Sequence, residues 1–107
     1  MTQYRQGDVL IVAHAGELPW RARPVQPENG RTVLAHGEAT GHAHAIKGDR
    51  VVLFREDGAG GGLAYLQAVT PVEVIHEEHA PLRLAPGRYA VLRQTQFDGR
   101  QSQRVRD

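Results

Sequence analysis

The sequence predicts an all-β fold, a small single-domain β-barrel or sandwich of about seven or eight short strands. Its apolar runs are short and rich in Val, Leu and Ile, which favour strands. Gly, Pro or Asp interrupts these runs about every eight to twelve residues, the spacing typical of all-β domains. No stretch keeps a helical period. With 107 residues, the chain has the length of one domain.

The N-terminal third is predicted to contain one strand followed by a long loop. The first strand covers residues 7–13 and is entered through the turn-forming pair Gly7-Asp8. Residues 16–30 contain three prolines, each lacking a backbone donor, so we expect a loop or arm rather than a central strand. We expect Trp20 to pin this loop to the body of the domain.

The rest of the chain repeats a pattern of strand and turn. Thr40-Gly41 marks a bend, the glycine-rich segment 57–62 a hairpin loop and Pro86-Gly87 a turn. The tail, residues 98–107, has little apolar content and is predicted to be flexible. Strands are predicted over residues 31–39, 41–47, 49–56, 63–68 and 70–78, with two more within 80–97.

Composition argues against several classes of function. The chain has 13 Lys and Arg against 12 Asp and Glu, a net charge of +1, so nothing draws it to nucleic acid or anionic membranes. Cysteine is absent, which removes thiolate chemistry, and the one serine, Ser102, lies in the polar tail. No apolar leader or run of about 20 apolar residues is present, so we expect a cytoplasmic protein without a membrane partner.

Four of the six histidines lie in two short groups, "GHAHAI" at 41–46 and "HEEH" at 76–79. In a strand, His42 and His44 share a face with Ile46, so an inward Ile46 directs both imidazoles inward. Such a pair is also typical of solvated surface beside a glycine turn. Two histidines at this spacing can nevertheless bind one zinc ion.

The second group has the same phase. His76 shares a face with Val72 and Val74, and is therefore predicted to point inward too. Strict strand geometry directs His79 to the opposite face unless a turn or bulge intervenes. The predicted metal ligands are His42, His44 and His76, with either His79 or Glu78 as the fourth. Zinc fits best, and iron, manganese or nickel are compatible.

With "GHAHAI" and "PGRYAV" in place, the sequence resembles the single-domain cupins, small metal-binding β-barrels with a His-x-His motif. This resemblance implies a barrel whose metal centre includes His42 and His44. The combination "GEATGHAHAI", "HEEHAPLRL" and "GRYAVLRQTQF" is also similar to a group of small uncharacterised bacterial and phage proteins. That second resemblance implies no activity.

Two functions follow from the histidines. One is a metal-dependent enzyme acting on a small molecule, with Glu38, Glu77 or Glu78 moving a proton. The alternative is a non-catalytic module that carries a metal or is stabilised by one. A third function, an adaptor that works through the arginines of the tail, is disfavoured by the near-neutral charge. Small β-domains with exposed edges often pair, so we expect a homodimer.

Overall fold

The fold is all-β, as the sequence predicts. The computed structural model describes residues 3–36, 41–56, 64–93, 95–97 and 102–104. Its strands, in chain order, are β1 (Gln3–Gln6), β2 (Val9–Ala13), β3 (Ala22–Pro24), β4 (Arg31–His36), β5 (Ala43–Lys47), β6 (Val51–Glu56), β7 (Ala64–Ala68), β8 (Val72–Val74), β9 (Leu82–Leu84), β10 (Gly87–Arg93), β11 (Thr95–Phe97) and β12 (Ser102–Arg104). Within the described ranges, no helix is long and apolar enough to span a bilayer.

A six-stranded antiparallel sheet forms the first layer, in the order β1-β2-β10-β7-β6-β3. Alternate residues of its central strands point inward, as the period of two requires. Ile11 on β2 lies opposite Val91 on β10, and Leu66 on β7 lies opposite Leu53 on β6. All four are buried, so this face of the sheet is one wall of the core.

Two hairpins, β4–β5 and β8–β9, form the second layer. An isolated bridge joins them, in which Ala45 and Ile75 exchange backbone hydrogen bonds of 3.0 and 2.8 Å. The main core contains Ile46 and Leu84 from these hairpins together with the inward residues of the six-stranded sheet. Two facing layers with apolar side chains between them make a sandwich, and the described sheets do not close into the barrel implied by the cupin resemblance.

The second layer also fixes the phase of β5. His44 and Ile46 are both buried, at 0% and 1% exposure, while Ala43 and Ala45 pack in a separate small cluster with Val33. The predicted shared face of His44 and Ile46 is therefore confirmed. Because β5 is covered on both faces, the alanines must be small, and the histidine must find polar partners inside the domain.

The N-terminal region differs from its prediction in two respects. The strand predicted over residues 7–13 is present as β2 and is entered through the predicted turn at Gly7-Asp8, with Gly7 at a φ of 58°. A strand that was not predicted, β1, precedes this turn and pairs with β2 as a hairpin. β1 has one apolar residue, Tyr4, so alternation does not reveal it. The prediction that Trp20 anchors the Pro-rich loop is wrong, because Trp20 is 83% exposed and its ring stacks against Arg21. The loop holds no central strand; it adds only the edge strand β3.

The later strands are shorter than predicted. β8 ends at Val74, so the predicted strand over residues 70–78 is replaced from His76 onward by bends. The predicted break at Pro86-Gly87 is confirmed, since β10 begins at Gly87. Part of the tail, β12, pairs with β11. The predicted features at Thr40, at 57–62 and in the remainder of the tail lie outside the described residues.

Candidate functional site

The start of β5 and the segment after β8 run side by side at one end of the second layer. The Ala45–Ile75 bridge sets their antiparallel register. Continuing that register places His44 opposite His76, one residue further along each segment. The next two pairs would be residues 43 with 77 and 42 with 78. One bridge therefore brings the two predicted histidine groups together.

Side-chain contacts agree with this register. The His44 and His76 rings lie 4.4 Å apart between centroids, and the Ala43 N–H donates to Glu77 Oε1 at 2.9 Å. His42 Nδ1 lies 3.9 Å from Glu78 Oε1. In each of these pairs the two residue numbers have the same sum as those of Ala45 and Ile75, as an antiparallel register requires. The geometry therefore follows from the backbone pairing.

His76 is the centre of the histidine cluster, which comprises His42, His44, His76 and His79. Its ring centroid lies 5.5 Å from that of His42 and 4.6 Å from that of His79. The predicted inward direction of His76 is confirmed, because the residue is only 9% exposed. Bends at residues 77–79 bring His79 to the same side as His76. This agrees with the prediction that a turn or bulge would cancel the strand geometry there.

Three of the neighbouring side chains can present donor atoms to a single metal ion. His42, His76 and Glu77 each offer a nitrogen or oxygen, and these three atoms all lie within 4.8 Å of one another. Two imidazoles and one carboxylate form a donor set that zinc and non-haem iron both use in proteins. Sequence reasoning had given Glu77 only a role in proton transfer, because a continuous strand would have directed it away from His76.

The Glu77 carboxylate is held in its charged form. The Ala43 N–H and the backbone N–H of Glu77 itself lower its pKa most, and the nearby His76 and His42 lower it further; desolvation by the surrounding residues acts in the opposite direction. An ionised carboxylate is the form that binds metal. The Ala43 amide also fixes the direction of the side chain, as hydrogen-bond partners of metal ligands commonly do.

His76 is also held by a backbone hydrogen bond. The Glu78 N–H donates to His76 Nδ1 at 3.0 Å, which places the hydrogen of a neutral imidazole on Nε2. Metal binding requires a ring nitrogen without hydrogen. If Nδ1 binds the ion, its lone pair is used, and if Nε2 binds the ion, Nδ1 takes the hydrogen. Metal loading through His76 therefore has to release the Glu78 amide.

His44 lies between two buried polar side chains, Gln6 and Asp8. Gln6 Nε2 donates to the carbonyls of Val74 and Ala80 at 3.0 and 2.9 Å, so the opposite atom of the amide, Oε1, faces the histidine. His44 Nδ1 lies 2.9 Å from Oε1 and therefore carries the hydrogen. His44 Nε2 lies 3.3 Å from Asp8 Oδ1. Both ring nitrogens face side-chain oxygens, and the hydrogen bond to Gln6 fixes the ring against His76. Metal binding by His44 itself stays a prediction.

Asp8 connects the cluster to the first layer. This fully buried carboxylate accepts a hydrogen bond from Arg93 Nε at 2.8 Å, and Arg93 also donates to the carbonyl of His36. Sequence reasoning missed Gln6, Asp8 and Arg93 as parts of the site. Asp8 directly before an apolar run was the available signal, but that position equally suits a turn, and nothing in the sequence marks Gln6.

The two predicted candidates for the fourth ligand differ in their surroundings. His79 Nε2 is buried and, within the part of the chain that the structure describes, has no hydrogen-bond partner. Glu78 has a side chain 63% exposed. Glu38 lies outside the described residues. His36, which the sequence set apart from the cluster, lies exposed at the end of β4 with Nε2 3.4 Å from Glu28 Oε1.

Comparison with protein families gave one match. Residues 5–94 match the family described as "Domain of unknown function (DUF8820)". The chain belongs to this family. The match covers both histidine groups and the buried residues behind them, and it indicates neither a cupin nor a metal-binding family. No curated protein and no solved structure matched the chain.

A cavity of about 150 Å³ lies beside two of the three donor residues of this DUF8820 domain. Arg31 contributes a cationic side chain to its lining, and His76 and Glu77 contribute two of the donor residues. Ala43 and Ile75, from the paired backbones, complete the lining. The cavity places a small space for a ligand between an arginine and the histidine cluster.

Proposed function

We propose that this domain binds one divalent transition metal ion through His42, His76 and Glu77. The observation that carries the proposal is the distance among their donor atoms, all within 4.8 Å of one another. Zinc is the first candidate, because two histidines and one glutamate form a common catalytic zinc site. Iron(II), bound by two histidines and a carboxylate, is the second.

The surroundings of these residues support the proposal. Ligands hold a metal well when a second layer of hydrogen bonds fixes their direction. Ala43 N–H fixes Glu77, and the His44 ring, itself held by Gln6, packs against His76. Releasing the Glu78 amide from His76 costs about 1 kcal/mol, small beside the roughly 10 to 16 kcal/mol of apparent zinc binding in structural sites.

We further propose that the site has an open coordination position for a small molecule, as a metal-dependent enzyme requires. Three protein ligands leave such a position on zinc, whereas closed structural sites use four. The cavity beside His76 and Glu77 provides the space. Glu78, exposed and 3.9 Å from His42, is placed to exchange a proton with solvent.

A non-catalytic metal module is the second candidate, and one observation favours it. The buried Nε2 of His79 has no hydrogen-bond partner in the described ranges, and the ring lies 4.6 Å from that of His76. A fourth ligand at this place would close the site. The ion would then stabilise the fold without an open position for a substrate.

Zinc titration of the metal-free, untagged protein tests the proposal. Isothermal calorimetry should give one zinc per chain, and His42→Ala, His76→Ala and Glu77→Gln should each weaken binding by about tenfold or more. His36→Ala is the matched control, because this histidine also lies near a glutamate but outside the cluster. Unchanged affinity in His42→Ala and His76→Ala, or loss in His36→Ala, would contradict the assignment.

Cobalt substitution separates the enzyme from the closed module. An open three-residue site with bound water should change its visible spectrum when a small ligand such as azide is added, and His79→Ala should leave the spectrum unchanged. The spectrum of a closed four-ligand site should not change when azide is added, and His79→Ala should then alter the spectrum by opening a coordination position.

A further inference from the structure

Arg31 contributes a cationic side chain to the cavity beside the proposed metal ligands His76 and Glu77. It begins β4 and is partly buried. Within the described ranges, its guanidinium has no hydrogen bond or ion pair, although Glu77 lines the same cavity. A guanidinium that faces a cavity can bind an anion through charge-assisted hydrogen bonds. Among the residues that the structure describes, the cavity therefore presents an unpaired cation next to Glu77 and His76.

The strand register brings a second positive charge to the same edge. Arg31 lies directly opposite Lys47 in the β4–β5 pair. Like charges directly opposite each other destabilise an antiparallel pair. In the described residues, Lys47 also has no ion pair. An anion bound at Arg31 would reduce this repulsion, so the sheet itself favours occupation by negative charge.

We propose that this cavity binds a small carboxylate anion, with Arg31 on one side of the carboxylate and the metal ion on the other. The inference rests on the proposed metal site and names the chemical class of its ligand. The planar guanidinium matches a carboxylate with two parallel hydrogen bonds. The volume of about 150 Å³ equals that of about five water molecules at roughly 30 Å³ each, which limits the ligand to a small molecule.

A second cavity, which shares Ile75 as a lining residue, provides the comparison. It is larger, about 330 Å³, and is lined by Lys47 and Arg83 among others. Arg83 in this cavity differs from Arg31 in that a carboxylate, Glu73, lies directly opposite it in the β8–β9 pair. A cross-strand carboxylate offsets the arginine there. Arg83→Gln is therefore a matched control for Arg31→Gln.

Acetate titration followed by ¹⁵N–¹H correlation spectra tests the proposal on zinc-loaded and metal-free protein. In the zinc-loaded protein, the amides of Ala43 and Ile75 should shift with saturation. Arg31→Gln should weaken acetate binding about tenfold or more, and Arg31→Lys should weaken it less. Zinc affinity of both variants should stay within about threefold of wild type, since neither removes a ligand. Arg83→Gln should bind acetate as the wild type does.

Every other result of these titrations either supports or overturns the proposed anion site. Wild-type acetate affinity in Arg31→Gln, or loss of binding in Arg83→Gln, would overturn the assignment to this cavity, and equal affinity for sulfate would overturn the carboxylate class. If the protein binds no zinc, the proposed function fails by itself. Acetate binding to the metal-free protein that depends on Arg31 would then still support the anion site, and absence of such binding would overturn it.

Discussion

Replacing Asp8 by asparagine removes a buried negative charge while keeping the size of the side chain. Asp8 is fully buried and accepts a hydrogen bond from Arg93, whose side chain is 16% exposed, and it faces His44 Nε2 at 3.3 Å. Breaking a fully buried ion pair costs about 3 to 5 kcal/mol. Asparagine retains a hydrogen bond to Arg93, and water reaches that arginine, so we expect a loss of about 2 to 3 kcal/mol.

Urea unfolding of the metal-free protein measures this loss. The midpoint should fall with an unchanged slope, and the melting temperature should fall by about 10 °C or more. Asp49→Asn is the control, because that carboxylate is 97% exposed beside Arg50 and should matter little. In a double-mutant cycle, Asp8→Asn and Arg93→Met should couple by about 1 kcal/mol or more. A loss in Asp8→Asn as small as that in Asp49→Asn would refute the buried ion pair. Additive effects of Asp8→Asn and Arg93→Met would refute it as well.

Three further predictions concern backbone and hydrogen bonds. Burial raises the pKa of Tyr89, and the nearby Tyr4 raises it further. The neutral phenol also donates a hydrogen bond to the Ala85 carbonyl. The contribution of neutral Tyr89 to the free energy of unfolding is therefore complete below about pH 10 and declines as pH rises toward the folded pKa. Unfolding free energies from pH 8 to 11 should therefore fall more steeply for wild type than for Tyr89→Phe, and parallel curves would contradict this. Zinc should accelerate hydrogen exchange of the Glu78 amide, whereas unchanged or slower exchange would mean that His76 does not bind the ion as proposed. Gly41→Ala should cost about 1 to 2 kcal/mol in urea unfolding, because Gly41 has a φ of 83°, and an unchanged midpoint would show that the bend adapts.

The sequence was sufficient to predict the phase of the two histidine groups. Alternation along β5 placed His44 with the inward Ile46, and the valines of β8 placed His76 inward, both as found. These predictions succeeded because a period of two is a local property of a strand with a buried face. The same rule could not place Glu77 and His79, because the strand ends before them and the backbone then bends.

Long-range pairings could not be predicted. Gln6 contacts residues of the β8 segment, and Asp8 pairs with an arginine 85 positions away. Neither residue differs in its local sequence from an ordinary strand end or turn. The prediction that Trp20 anchors the loop failed for a related reason, since the tendency of tryptophan to be buried is an average over many proteins. The exposed ring stacks on its neighbour Arg21 instead. Closure into a barrel also depends on contacts between layers, which a strand pattern does not determine.

Zinc-edge anomalous diffraction from crystals grown with one equivalent of zinc tests the metal assignment most directly. We expect one strong peak about 2.0 to 2.2 Å from a ring nitrogen of His42, a ring nitrogen of His76 and a carboxylate oxygen of Glu77. A peak at the His36–Glu28 pair, or none at the cluster, would contradict the proposed site.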